Sequence, residues 1–96
     1  MSTTLHIEHD ITDYPTWRAA FDRFSDARTQ GGVTAARVRL ADDDPHHIVI
    51  DLDFEGREPA SAFATFLHER VWGTGRAPAL AGTPTTRLLV DPDARP

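Results

Sequence analysis

The chain contains no cysteine and no lysine. Without cysteine it has neither a disulfide framework nor a thiolate nucleophile. Without lysine it has no amine for Schiff-base chemistry. All ten basic residues are arginine, and 15 acidic residues outnumber them, for a net charge of −5. That balance argues against polyanion partners, because phosphate contacts dominate nucleic-acid affinity. No apolar run approaches the roughly 20 residues of a membrane span. There is no glycine-rich nucleotide loop, no nucleophile-elbow serine and no closed zinc spacing. The segment from Met1 to His6 lacks the basic and apolar regions of a secretory leader. These absences predict no nucleic-acid partner, no membrane, no metal and no cofactor, in a cytoplasmic protein.

What is present is a patterned chain of 96 residues, 40% hydrophobic and 26% charged. That size predicts a single domain over residues 1–96, with a folded core of about residues 3–91. The organising stretch runs from Asp13 to Phe24. Asp13 suits an N-cap, and Pro15 fits the first helical turn, where its missing N–H is harmless. Trp17, Ala20, Phe21 and Phe24 then share one helical face. Gly31 and Gly32 predict the end of this first helix.

Upstream, Thr4 to Ile11 alternates as a strand, with Leu5, Ile7, His9 and Ile11 on one face. Downstream, Ala36 to Leu40 and His47 to Phe54 alternate in the same way. The turn Asp42-Asp43-Asp44-Pro45 joins them as a hairpin. Pro59 is expected to open a second helix, with Phe63, Phe66, Leu67 and Arg70 on its inner face and Gly73 at its end. Thr74 to Pro84 reads as a mobile loop with one helical turn near Leu80. Arg87 to Val90 reads as a short last strand, and Asp91 to Pro96 as a frayed tail.

The order is βαββαβ. It predicts an α+β, ferredoxin-like fold: a four-stranded antiparallel sheet with two helices on one face. The other face would carry Arg37 and Arg39 opposite Asp51 and Asp53, with Val49 and Leu89 between. Such a face predicts a homodimer interface through these six residues. An RNA-recognition domain of this order would place aromatics where this chain has His6, Glu8, Asp51 and Asp53.

Five motifs occur in order: Asp13-Tyr14-x-x-Trp17-Arg18-x-x-Phe21-Asp22, Gly31-Gly32, Arg37-Val38, Asp43-Asp44-Pro45 and Gly82-x-Pro84. Together they resemble small bacterial proteins of the dimeric α+β-barrel superfamily, related to antibiotic-biosynthesis-type monooxygenases. The resemblance implies two sheets packed face to face with helices outside. It also implies kinship with enzymes that oxidise polyketide quinols without metal or flavin, and with haem-degrading relatives. His46 follows the Asp-Asp-Pro turn, where an Asn is usual.

The topology brings the end of strand one, the start of helix one and the end of helix two to one sheet edge. His9, Tyr14, Trp17, His68 and Trp72 are therefore expected to gather there. His9 is the candidate catalytic base, and Tyr14, Trp17, His68 and Trp72 are the candidate ligand-binding residues. A core role for Trp17 and a satisfied semi-buried role for His9 are the structural alternatives. His6, Glu8, Asp51 and Asp53 share a face, but their spacing matches no metal motif. No attachment motif supports haem on His9 or His68. Three functions follow: a binding protein for a small apolar or aromatic metabolite, a cofactor-independent monooxygenase or cyclase, or a structural dimer without a ligand.

Overall fold

A computed structural model describes residues 2–73 and 79–92. The elements are β1 (Thr3–Ile11), α1 (Tyr14–Arg23), α2 (Ser25–Gln30), β2 (Val33–Ala41), β3 (Asp44–Phe54), α3 (Arg57–Phe66), a π-helical turn (Leu67–Trp72) and β4 (Leu80–Val90). The four strands form one antiparallel sheet in the order β2-β3-β1-β4. The helices cover one face of it, giving the ferredoxin-like arrangement.

The covered face follows from alternation. In β1, Thr3, Leu5, Ile7, His9 and Ile11 are buried while the residues between them are more open. Ile48, Ile50, Leu52 and Phe54 do the same in β3. Trp17, Ala60 and Phe63 press down on them from the helices. Phe54 is fully buried and lies 5.8 Å from Phe63, ring to ring. Burial of this kind stabilises by about 1.5–3 kcal/mol per large apolar side chain.

Asp13 caps α1 as expected: its Oδ1 accepts from the Thr16 backbone N–H at 2.8 Å. The first helix does not run unbroken to Gly31. It breaks at Phe24, whose N–H turns back to the Phe21 carbonyl, and resumes as α2. Gly32 ends α2 in the left-handed region, at φ 93°, where a residue without Cβ meets no steric cost.

Three further expectations are corrected. The second helical region opens at Arg57, before Pro59. Past Phe66 it widens into the π-turn, so Val71 takes the inward position and Arg70 is exposed. A π-turn has more residues per turn than an α-helix, which shifts the inward face by one residue. Finally, Leu80 to Pro84 belongs to β4, an 11-residue strand, and no helical turn forms at Leu80. The rest of the expected mobile loop, residues 74–78, and tail residues 93–96 lie outside the described residues.

β4 tolerates glycine and proline because it is an edge strand with a bulge. Its pairing with β1 shifts between Glu8, opposite Thr85, and Asp10, opposite Ala81. Gly82, Thr83 and Pro84 therefore stand where His9 alone stands on β1. Gly82 makes this bend at φ 76°.

Candidate functional site

β1 and β3 form the floor of a cavity whose roof is α1, α2, α3 and the π-turn. It holds about 80 Å³ of space accessible to water. That is room for several waters or one compact organic group. Thirteen of its fifteen lining side chains are hydrocarbon or indole; His9 and Arg28 are the two titratable ones among the described residues.

β1 delivers His9 to this wall because its position in the alternation points to the helices. The residue is 5% exposed. Its Nδ1 lies 3.0 Å from the Asp10 carbonyl oxygen. A carbonyl only accepts, so Nδ1 carries the proton and Nε2 keeps its lone pair. Nε2 has no hydrogen-bond partner among the described residues. Burial holds this imidazole below its ordinary pKa, with His47 adding a smaller push the same way. His9 is therefore a neutral acceptor at neutral pH.

Trp72, from the π-turn, meets the His9 ring edge-on at 6.2 Å. Trp17, from α1, is 8% exposed and stacks on Phe21 at 4.8 Å. Both indoles line the cavity. Tyr14 stacks on Trp17 at 6.1 Å but is not part of the lining. His68 is exposed, meets the Trp72 ring at 4.8 Å and places Nε2 3.4 Å from Thr86 Oγ1. Of the five predicted site residues, His9, Trp17 and Trp72 share the cavity, and Tyr14 and His68 back the two tryptophans. Arg28 is the lining residue that sequence reasoning missed. Its signal was present, since it continues the helical series Trp17, Phe21, Phe24 by one more turn.

On the opposite side of the bulge lies a groove of about 220 Å³ lined by His9, Asp10, His47 and Gly82 among others. It leads onto the open sheet face, where five bonds link six side chains across three strands. Arg39 Nη2 donates to Asp51 Oδ2 at 2.9 Å, and Asp51 Oδ1 faces His6 Nδ1 at 2.6 Å. His6 Nε2 meets Glu8 Oε2 at 2.9 Å, and Glu8 Oε1 meets His47 Nε2 at 2.9 Å. His47 Nδ1 meets Asp10 Oδ1 at 3.0 Å. All four imidazole nitrogens face carboxylates, so the chain is satisfied in full when both rings are protonated. The hydrogen bond to Glu8 is the main cause raising the pKa of His6 and of His47; the same two bonds lower that of Glu8.

The expected pairing of Arg37 and Arg39 with Asp51 and Asp53 is met in one bond. The register sets Arg37 opposite Asp51 and Arg39 opposite Val49, and Arg39 reaches Asp51 diagonally. Asp53 instead accepts from Thr4 Oγ1 at 2.6 Å. Leu89 stands 41% exposed on this face. No group of three or more His, Asp or Glu among the described residues is arranged to hold a metal ion. No described helix is long and apolar enough to cross a membrane.

No protein-family model matches the chain, and no curated protein matches it. Solved structures do. A proposed antibiotic biosynthesis monooxygenase from Nitrosomonas europaea superposes with a TM-score of 0.70 at 14% identity, over 95% of this chain and 90% of that one. SnoaB, a cofactor-independent oxygenase from Streptomyces nogalater, gives 0.70 at 14%, over 94% and 92%. A dimeric ferredoxin-like protein from an uncultured marine organism gives 0.59 at 12%, over 94% and 96%. At such identities the likeness is one of backbone, and on that ground the chain has the ferredoxin-like fold.

Proposed function

We propose that the protein binds a compact apolar or aromatic metabolite in the cavity between helices and sheet. His9 accepts a hydrogen bond or a proton from the ligand. The observation that carries this reading is a buried, neutral imidazole, pinned through Nδ1, whose Nε2 has no partner among the described residues, in the wall of an apolar chamber. Trp17 and Trp72 supply flat apolar walls for a ring.

The working unit is a cytoplasmic homodimer that closes its open sheet faces against each other, through Arg37, Arg39, Val49, Asp51, Asp53 and Leu89. Support comes from the concavity of about 510 Å³ on that face, lined by all of these but Val49. The marine ferredoxin-like neighbour is described as dimeric.

A second reading is that the bound molecule is also oxidised. His9 favours it: a neutral base at the cavity could remove a phenolic proton, the step that a cofactor-independent oxygenase requires first. SnoaB, which shares the fold, is described as such an enzyme.

Titration with small aromatic alcohols, followed by tryptophan fluorescence and thermal shift, tests the binding reading. Saturable quenching with a raised melting temperature is expected, since a ligand of the native state stabilises it. His9→Gln should weaken the response to naphthol more than the response to naphthalene. Absence of any response across such a set leaves the structural-dimer alternative. Oxygen uptake with a quinol, lost in His9→Gln, separates the oxygenase from the binder.

A further inference from the structure

Arg28 is a cation set into an otherwise apolar wall. It is half-buried on α2 and lines the same cavity as His9. Its guanidinium carbon lies 3.6 Å from the centroid of the Phe21 ring, and Nη1 donates to the Phe21 carbonyl at 2.6 Å. That bond gives the Phe21 carbonyl, which already accepts from the Phe24 N–H where α1 breaks, a second donor. It uses one of the five N–H donors that a guanidinium carries.

No carboxylate pairs with Arg28 among the described residues. Asp22 acts on it through space but is bonded to Arg18 at 3.2 Å. Burial is the main influence on the group and works against its charge. A guanidinium partly withdrawn from water without a counter-ion is costly to hold, and an arriving anion would offset that cost. The planar fork suits a carboxylate in particular. A phosphate dianion would bring more charge than one cation balances, and no second arginine lines the cavity among the described residues.

Resting on the reading of this cavity as a ligand site, we propose that Arg28 anchors an anionic group, and that the ligand is a compact aromatic carboxylate. The ring occupies the apolar chamber beside Phe21 and Trp17, and the carboxylate meets the free edge of the guanidinium. The site thereby selects acids over neutral molecules of the same shape.

Benzoate and benzamide, which differ in charge and little in shape, test this by calorimetric titration. The wild-type protein should prefer benzoate by roughly tenfold or more, as expected for a charge-assisted hydrogen bond. Arg28→Gln should abolish the preference while leaving benzamide affinity within about threefold. The Arg28 Nε–H resonance of the wild-type protein should move with benzoate and stay with benzamide, a readout that needs no variant to fold. Equal binding of both ligands, or a preference that survives in Arg28→Gln, would overturn the carboxylate anchor and leave the cavity reading intact. Binding of benzamide alone would overturn the anchor, and failure of both ligands to bind would overturn both readings.

Discussion

The Nδ1 atom of His6 on β1 lies 2.6 Å from Oδ1 of Asp51 on β3, while its Nε2 lies 2.9 Å from Glu8. An imidazole held between two carboxylates is a cation in place. Arg87 on β4 stands directly opposite on the same face, and Arg39 on β2 competes for Asp51. The hydrogen bond to Glu8, and after it the one to Asp51, hold His6 above its ordinary value of 6.5 against the opposing effect of burial.

Stability should follow from this. A raised folded-state pKa contributes stability that is complete below the unfolded value and is lost as pH climbs through the folded one. Glu8, lowered from 4.5, contributes above that value and loses its share in acid. The network therefore supports the fold best between about pH 5 and 6.5. His6→Gln should lower the melting temperature more at about pH 6 than at about pH 9. Equal losses at both would rule the charged network out.

His9 has the opposite sign. Its folded-state pKa is lowered by burial, so its neutral form stabilises above the ordinary 6.5 and that contribution fades as pH falls. A His9→Gln variant should lose less stability than the wild-type protein between about pH 8 and pH 5. Parallel denaturation curves at the two pH values measure the difference.

Trp17 and Trp72 should separate stability from binding. Trp17 is nearly buried between Tyr14 and Phe21 and belongs to the core. Trp17→Ala should cost about 3–5 kcal/mol in chemical denaturation. Trp72→Phe keeps a ring against His9 and should cost about 1 kcal/mol or less while changing ligand affinity more.

Asp51 tests the assembly. Its side chain is 16% exposed and bonds both Arg39 and His6. Asp51→Ala leaves two cations without their shared partner, on the face proposed to be enclosed. The dimer dissociation constant from sedimentation should rise at least roughly tenfold. A wild-type monomer at micromolar concentration would contradict the assembly itself.

Gly82→Ala probes the bulge. A Cβ there would meet no atom within 4 Å, so sterics with neighbours are not the issue. The cost is conformational, since φ is 76°, and should be roughly 1–2 kcal/mol. Hydrogen exchange should quicken first at the amides around Asp10 and Ala81, which the bulge brings into register.

Much of this architecture is legible in the residues, and the reasons are local. Leu5-His6-Ile7-Glu8-His9 declares its two faces because one is covered and the other is not. Asp13 and Pro15 mark a helix start through their own chemistry. The break at Phe24 is not legible, because the apolar series continues through it and no glycine or proline interrupts. The last strand is legible over Arg87 to Val90, but the first part of β4 is hidden by Gly82 and Pro84, which punctuate a loop and a bulged edge strand alike. The gathering of aromatics at one sheet end followed from topology. Arg28 did not, because a lone arginine on an apolar stripe reads as a snorkelling side chain until the cavity beside it is seen.

The π-turn at Leu67–Trp72 makes the position of Trp72 a matter of residue count. An α-helix advances about 100° per residue, so removing one residue between Leu67 and Val71 would swing the indole roughly that far around the axis. Its contact with His9 would be lost even if every contact of Phe63 and Ala60 survived. The cavity wall is thus set by a length as well as by a side chain. In this segment a deletion is a more severe change than any conservative substitution of the tryptophan it displaces.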